Sequence, residues 1–115
     1  MFDMKDKSLF LKFVGDSPKL KVMDFLVVGA GMDYSMKEIA EKSGVGYSTL
    51  KLFWKQLIKD KIVVQTRKIG NAKLFNINTD NLAVKKFGKM YWEVTKAITN
   101  QIHNKKKIKL SISQA

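Results

Sequence analysis

Residues 35–62, SMKEIAEKSGVGYSTLKLFWKQLIKDKI, constrain the fold more than any other stretch. Ser35 followed by Glu38 is a capping box, in which a hydroxyl and a carboxylate each take a backbone N–H that a helix start leaves open. Met36, Ile39 and Ala40 then lie on one face of a short helix. Ser43-Gly44-Val45-Gly46 interrupts it: Gly44 suits the left-handed C′ position and Gly46 the next N-cap. From Tyr47 the period of 3.6 resumes, with Leu50, Phe53, Trp54, Leu57 and Ile58 on one wall. The other wall carries Tyr47, Ser48, Lys51, Leu52, Lys55 and Lys59. A short helix, a glycine turn and a second helix with a basic outer face spell a helix-turn-helix. That arrangement can lay a helix in the DNA major groove, and it also occurs as plain packing in small helical domains.

The residues beyond Lys61 favour the first use. Ile62 to Ile69 is β-branched and bounded by turn residues, so it reads as a strand. Gly70-Asn71-Ala72 is a tight loop, and Lys73 to Asn78 alternates as the returning strand. A hairpin directly after a recognition helix is a wing. Its tip carries Arg67, Lys68, Asn71 and Lys73 and no acid, the donor types that phosphates attract.

Charge supports the same reading. The 115 residues carry a net +12, unevenly spread. Between Lys42 and Thr79 there are seven Lys and one Arg against a single acid, Asp60, a local balance of +7. A field of that sign favours a polyanionic partner. Arg67 is the only arginine, and lysines suit point contacts to phosphate better than bidentate base reading. With no Cys, disulfides and thiolate metal sites are excluded, and the single His103 cannot make a metal cluster. No cofactor is expected. A P-loop and a paired-carboxylate site are missing too, so the chain does not read as an enzyme. No apolar run approaches the ~20 residues of a membrane span and no signal peptide opens the chain, which makes the cytoplasm the default location.

Before the motif, Leu9, Phe10, Leu11, Phe13 and Val14 form an apolar cluster, read as a short helix over a dimer interface and ended by Gly15-Asp16. Ser17-Pro18 starts the next helix, with Leu20, Met23, Phe25, Leu26 and Val27 at helical spacing and Gly29-Ala30-Gly31 as its stop. After the hairpin, Thr79-Asp80-Asn81 offers N-caps for a long last helix. Phe87, Tyr91, Val94, Ile98 and Ile102 run along it at spacings of three and four, close to a heptad seam, and are expected to meet a second copy. The tail begins Lys105-Lys106-Lys107, and the alternation of Ile108, Leu110 and Ile112 hints at an extended segment, expected to be disordered in isolation.

Residues 14–84 resemble archaeal winged helix-turn-helix transcriptional regulators. The resemblance is carried by Gly15-Asp16-Ser17-Pro18-Lys19, Glu38-Ile39-Ala40-Glu41, Gly44-Val45, Thr49-Leu50 and, most specifically, Arg67 to Leu74. It implies a DNA-binding domain of helix-helix-helix-strand-strand order, usually dimeric. Together with the residue patterns on either side, the chain reads as an α+β, mostly α fold: an apolar extension (1–16), a winged helix-turn-helix of three helices and a β-hairpin wing (17–79), a long C-terminal dimerisation helix (80–103) and a basic tail (104–115). The partners it implies are double-stranded DNA and a second copy, with the effector open. The recognition helix would present Tyr47, Ser48, Thr49, Lys51, Leu52 and Lys55. Two departures stand out: Tyr47-Ser48 where such proteins often show Arg-Pro, and Asp60-Lys61 where Leu-Gly commonly closes the helix, which forces Lys61 toward a positive φ. A nonspecific DNA-packaging or partition protein and a winged-helix protein-interaction module are the alternatives to a sequence-specific regulator.

Overall fold

The structure, a computed structural model, describes residues 7–114, with side chains as far as Lys106. Residues 1–6 of the apolar extension, the side chains of the tail from Lys107 and all of Ala115 lie outside the described residues. The chain runs α1 (Leu9–Val14), α2 (Pro18–Val28), α3 (Met36–Ser43), α4 (Tyr47–Lys59), β1 (Val63–Ile69), β2 (Ala72–Ile77) and α5 (Leu82–Gln114).

Local chemistry sets most of these boundaries. Ser8 and Ser17 cap α1 and α2 by accepting the N–H of Leu11 and Leu20, and Pro18 occupies the first turn of α2. The Ser35–Glu38 capping box is present at the start of α3. At its end Gly44 takes φ +74, while Val45 N–H donates to Ala40 and Gly44 N–H to Glu41, the paired bonds of a Schellman motif. The same pair closes α4: Ile62 N–H donates to Leu57 and Lys61 N–H to Ile58, each at 3.0 Å, with Lys61 at φ +58. The strain expected at Lys61 is therefore present.

β1 and β2 form an antiparallel pair from Val63↔Ile77 to Ile69↔Ala72. Ala72 belongs to β2, so the connection is Gly70-Asn71 alone. Gly70, at φ +61, is its first residue, the pattern of a type II′ hairpin turn. A bulge at Thr66 shifts the register between Gln65 and Arg67. Tyr34 adds a single bridge to Phe75, exchanging N–H···O bonds of 2.8 and 2.7 Å, and thereby stitches the α2–α3 loop to the hairpin.

One core joins these elements. Val22 and Leu26 of α2, Ile39 of α3, Leu50 and Leu57 of α4 and Val63 of β1 are fully buried. Trp54 meets Phe75 edge-on at 5.0 Å, fixing the hairpin against α4. Ile58, assigned to the core wall by periodicity, instead lies at its edge and is exposed.

Two expectations change at the ends of the chain. α1 forms where the apolar cluster predicts it, but it packs on its own α2 and α5. Phe10 is fully buried between Phe87, at 5.6 Å, and Tyr91, at 4.5 Å. Tyr91 is only 3% exposed, so this part of the predicted partner seam is filled by the chain's own α1. Ser8 Oγ donates to the buried Asp24 carboxylate at 2.7 Å. Burial, and then the neighbouring Asp24, raise the Tyr91 phenol above its ordinary pKa. The second correction concerns the tail. α5 continues through residues 104–114 as helix, where the alternation of apolar residues suggested an extended segment. No Gly or Pro follows Gly88, and extending an existing helix is far easier than nucleating one.

Candidate nucleic-acid interface

α4 is amphipathic in the sense the sequence requires. Leu50, Trp54 and Leu57 are buried, and Ser48, Lys51, Leu52 and Lys55 are exposed on the far side. Tyr47 is exposed at the helix start and Thr49 is half-buried at the edge. Of the six residues predicted to read DNA, five therefore face solvent and Thr49 does so in part. The Lys51 ammonium lies 4.6 Å from the Tyr47 ring centroid, a cation–π contact that draws Lys51 back toward the helix N-terminus. Gly46 caps α4 without a side-chain hydrogen bond, and the first turn holds no acid, so no carboxylate offsets the positive end of the helix dipole there.

In the hairpin, Lys68 stands directly opposite Lys73, both exposed, with Asn71 in the turn beside them. Like charges facing across a strand pair destabilise it, and a phosphate between them removes that penalty. Lys73 also borders an open groove of about 390 Å³ between α4 and the hairpin, floored by Trp54 and Phe75.

Arg67 has a different setting from the other wing residues. Its Nε donates to Asp33 Oδ2 at 2.8 Å and its Nη2 to Oδ1 at 3.1 Å, a two-pronged pair. Thr66 Oγ1 donates its one proton to the same Oδ2 at 2.7 Å, with the Leu74 carbonyl 3.2 Å away as the competing acceptor. Neighbouring strand residues normally point to opposite faces; the bulge at Thr66 lets both reach one carboxylate. These bonds, Arg67's first, lower the Asp33 pKa from the ordinary aspartate value, and Asp33 in turn raises that of Arg67.

Asp33 is the part of this surface that sequence reasoning missed. It lies 34 residues from Arg67, in a loop read only as a lead-in to the capping box. Its one sequence signal was the residue type itself, an acid just before the strongly basic half of the chain. Of the three N-cap candidates before α5, Asn81 is the one used: its carboxamide oxygen accepts the N–H of Ala83 and Val84, while its amide, in a contact the sequence did not signal, donates to the carbonyls of Asp60 and Lys61. One side chain thus ties the start of α5 to the end of α4.

Among the described residues no group of three or more His, Asp or Glu could hold a metal ion. No described helix is long and apolar enough to cross a membrane.

No protein-family profile matches the chain, and no curated protein is significantly similar to it. Solved structures are similar in fold. Wild-type ZitR of Lactococcus lactis in complex with DNA superposes with a TM-score of 0.56 at 17% identity, over 82% of this chain and 67% of that one. MepR, a transcription regulator of the Staphylococcus aureus multidrug efflux pump MepA, superposes with a TM-score of 0.59 at 12% identity, over 90% of this chain and 79% of that one. The chain shares their fold, a winged helix-turn-helix: a mostly helical body, a two-stranded wing and a long C-terminal helix.

Proposed function

We propose that this chain is a sequence-specific double-stranded DNA-binding transcription regulator that acts as a homodimer on a pseudo-palindromic site. The observation that carries this reading is the outer wall of α4. It presents Ser48, Lys51, Leu52 and Lys55 with no acid among them, beside a hairpin whose facing residues are Lys68 and Lys73. Its fold is shared with a protein solved on DNA and with another described as a transcription regulator. In this reading α4 enters the major groove, its N-terminal residues Tyr47, Ser48, Thr49 and Lys51 nearest the base edges. Lys68, Asn71 and Lys73 hold the flanking backbone, and Arg67 keeps the hairpin in register with the body through Asp33.

Dimerisation through α5 is part of the proposal. Helix α5 has 33 residues, ~50 Å at 1.5 Å per residue, in a molecule measuring 64 × 29 × 23 Å. Its distal part therefore projects past the body, with Ile98 half-buried and Ile102 exposed. Phe13 of α1 and Trp92 of α5 add apolar surface, 68% and 53% exposed. A second copy would cover what Phe10 does not.

Selection of duplexes from a randomised pool by the full chain tests the proposal, with subsequent titration of selected and scrambled duplexes at about 150 mM salt, the physiological range. A regulator binds the selected duplex ~10³-fold or more tightly than the scrambled one. Equal affinities identify a nonspecific packaging protein, and no retention at that salt identifies a protein-interaction module.

A further inference from the structure

On the wall of α4 proposed to face DNA, Leu52 is the one aliphatic side chain, and the polar contacts open to its neighbours are closed to it. Leu52 is 85% exposed, the most exposed of the large apolar side chains among the described residues. At 100° per residue it lies on the side of α4 opposite Leu50, Trp54 and Leu57, so it cannot reach the core. Its neighbours three and four positions away are Ser48, Thr49, Lys55 and Gln56. A helical side chain leans toward the N-terminus and covers the turn before its own Cα, which for Leu52 is the turn of Ser48. Serine is too small to shield it, and the Lys51 ammonium is drawn away over the Tyr47 ring. The half of the helix aimed at base edges thus carries an uncovered isobutyl group ringed by polar and cationic side chains.

Only one feature of the major-groove floor is apolar, the 5-methyl group of a pyrimidine. We infer that Leu52 is a specificity-determining residue that packs on a pyrimidine 5-methyl group, carried by thymine or by 5-methylcytosine. The inference rests on α4 entering the major groove. The surrounding cations complement the phosphates on either side, so the apolar contact is placed where those charges steer the helix.

The test uses the full chain and a duplex selected from a thymine-containing pool. Each thymine is replaced singly by deoxyuridine, which removes only the methyl group, and each cytosine singly by 5-methylcytosine. For at least one position the wild-type chain loses about four-fold in affinity on thymine-to-uracil exchange, or gains about four-fold on cytosine methylation. That factor corresponds to burial of one methyl-sized apolar group. A loss on uracil exchange identifies thymine as the source, and a gain on methylation identifies 5-methylcytosine. Leu52→Ala abolishes the dependence at that position, Leu52→Met retains it, and Lys51→Ala retains it while weakening binding. Wild-type affinities within two-fold of the parent on every exchanged duplex would overturn the inference while leaving DNA reading intact. So would a methyl dependence that persists unchanged in Leu52→Ala. A pool that yields no preferred duplex removes the reading of α4 itself, and the role of Leu52 with it.

Discussion

Lys61 shows how a single backbone angle can be held against its own preference. A left-handed conformation costs an L-residue roughly 1–2 kcal/mol, and here the Schellman bonds of α4 impose it. The Lys61 carbonyl receives the amides of Asn78 and Asn81 at 2.9 and 3.0 Å, which fixes the turn leading into β1. Lys61→Gly relieves the steric cost and adds some unfolded-state entropy. The expected net gain is about 0.5–1 kcal/mol, read as a higher denaturant midpoint at unchanged slope. An unchanged or lower midpoint would mean that the turn holds Lys61 without strain. Asp33 gives a pH dependence of definite sign. Its folded pKa is lowered, chiefly by the Arg67 bonds, so its contribution is complete above the unfolded value and fades as pH falls through the folded one. Hydrogen exchange at Thr66, Arg67 and Leu74 should therefore stay slow from about pH 7 to pH 5 once corrected for the intrinsic rate. Protection should be lost only below about pH 4, the ordinary aspartate range. Asp33→Asn should lower it already at neutral pH.

Among the elements, α3, α4 and the hairpin were legible because each announces itself within a few residues. The Ser35–Glu38 box, Gly44 and the period from Leu50 to Leu57 are local signals, and the structure keeps all of them. What the sequence could not display were contacts between distant segments: Asp33 with Arg67, Phe10 with Tyr91, and Asn81 with the end of α4. Period alone marks Tyr91 as apolar-facing, and it cannot distinguish a partner's helix from the chain's own α1. The exposed wall of α4 and the basic wing, the surface proposed to read DNA, could be laid out from sequence, but how Arg67 is occupied could not. On that surface helix and hairpin should respond differently. Lys51→Ala should weaken the preferred duplex most, by about 1–3 kcal/mol, and flatten discrimination among sequences. Lys68→Ala or Lys73→Ala should weaken all sequences alike and reduce the salt slope by roughly one for each phosphate left unneutralised. Titrating each variant on preferred and scrambled duplexes across salt separates the two. If the lysines of the hairpin erase specificity and Lys51 does not, reader and clamp are exchanged.

For the molecule as a whole, the question is which apolar residues of α5 serve the chain's own core and which are left for the proposed second copy. Val84 and Tyr91 are buried, and Phe87 and Val94 pack against that core, so the first half of α5 cannot be removed without opening it. Beyond Val94 the helix leaves the body, and only Ile98 and Ile102 of the described seam remain to meet a partner. Two classes of substitution should therefore separate cleanly. Tyr91→Ala removes a ring packed on Phe10 and should destabilise the fold itself by about 3–5 kcal/mol. Ile98→Asp with Ile102→Asp places charge in the proposed interface and leaves the core untouched. That variant should keep the wild-type helical signal and denaturant midpoint, sediment as a monomer, and bind a two-half-site duplex far more weakly. Its affinity for a single half-site should change little, because α4 and the hairpin are intact. Sedimentation at micromolar concentration is decisive, since the wild-type chain should have twice the variant's mass. A wild-type chain that is monomeric there, or a double variant that remains dimeric, removes α5 as the dimer helix and leaves the exposed faces of α1 and Trp92 to be explained otherwise.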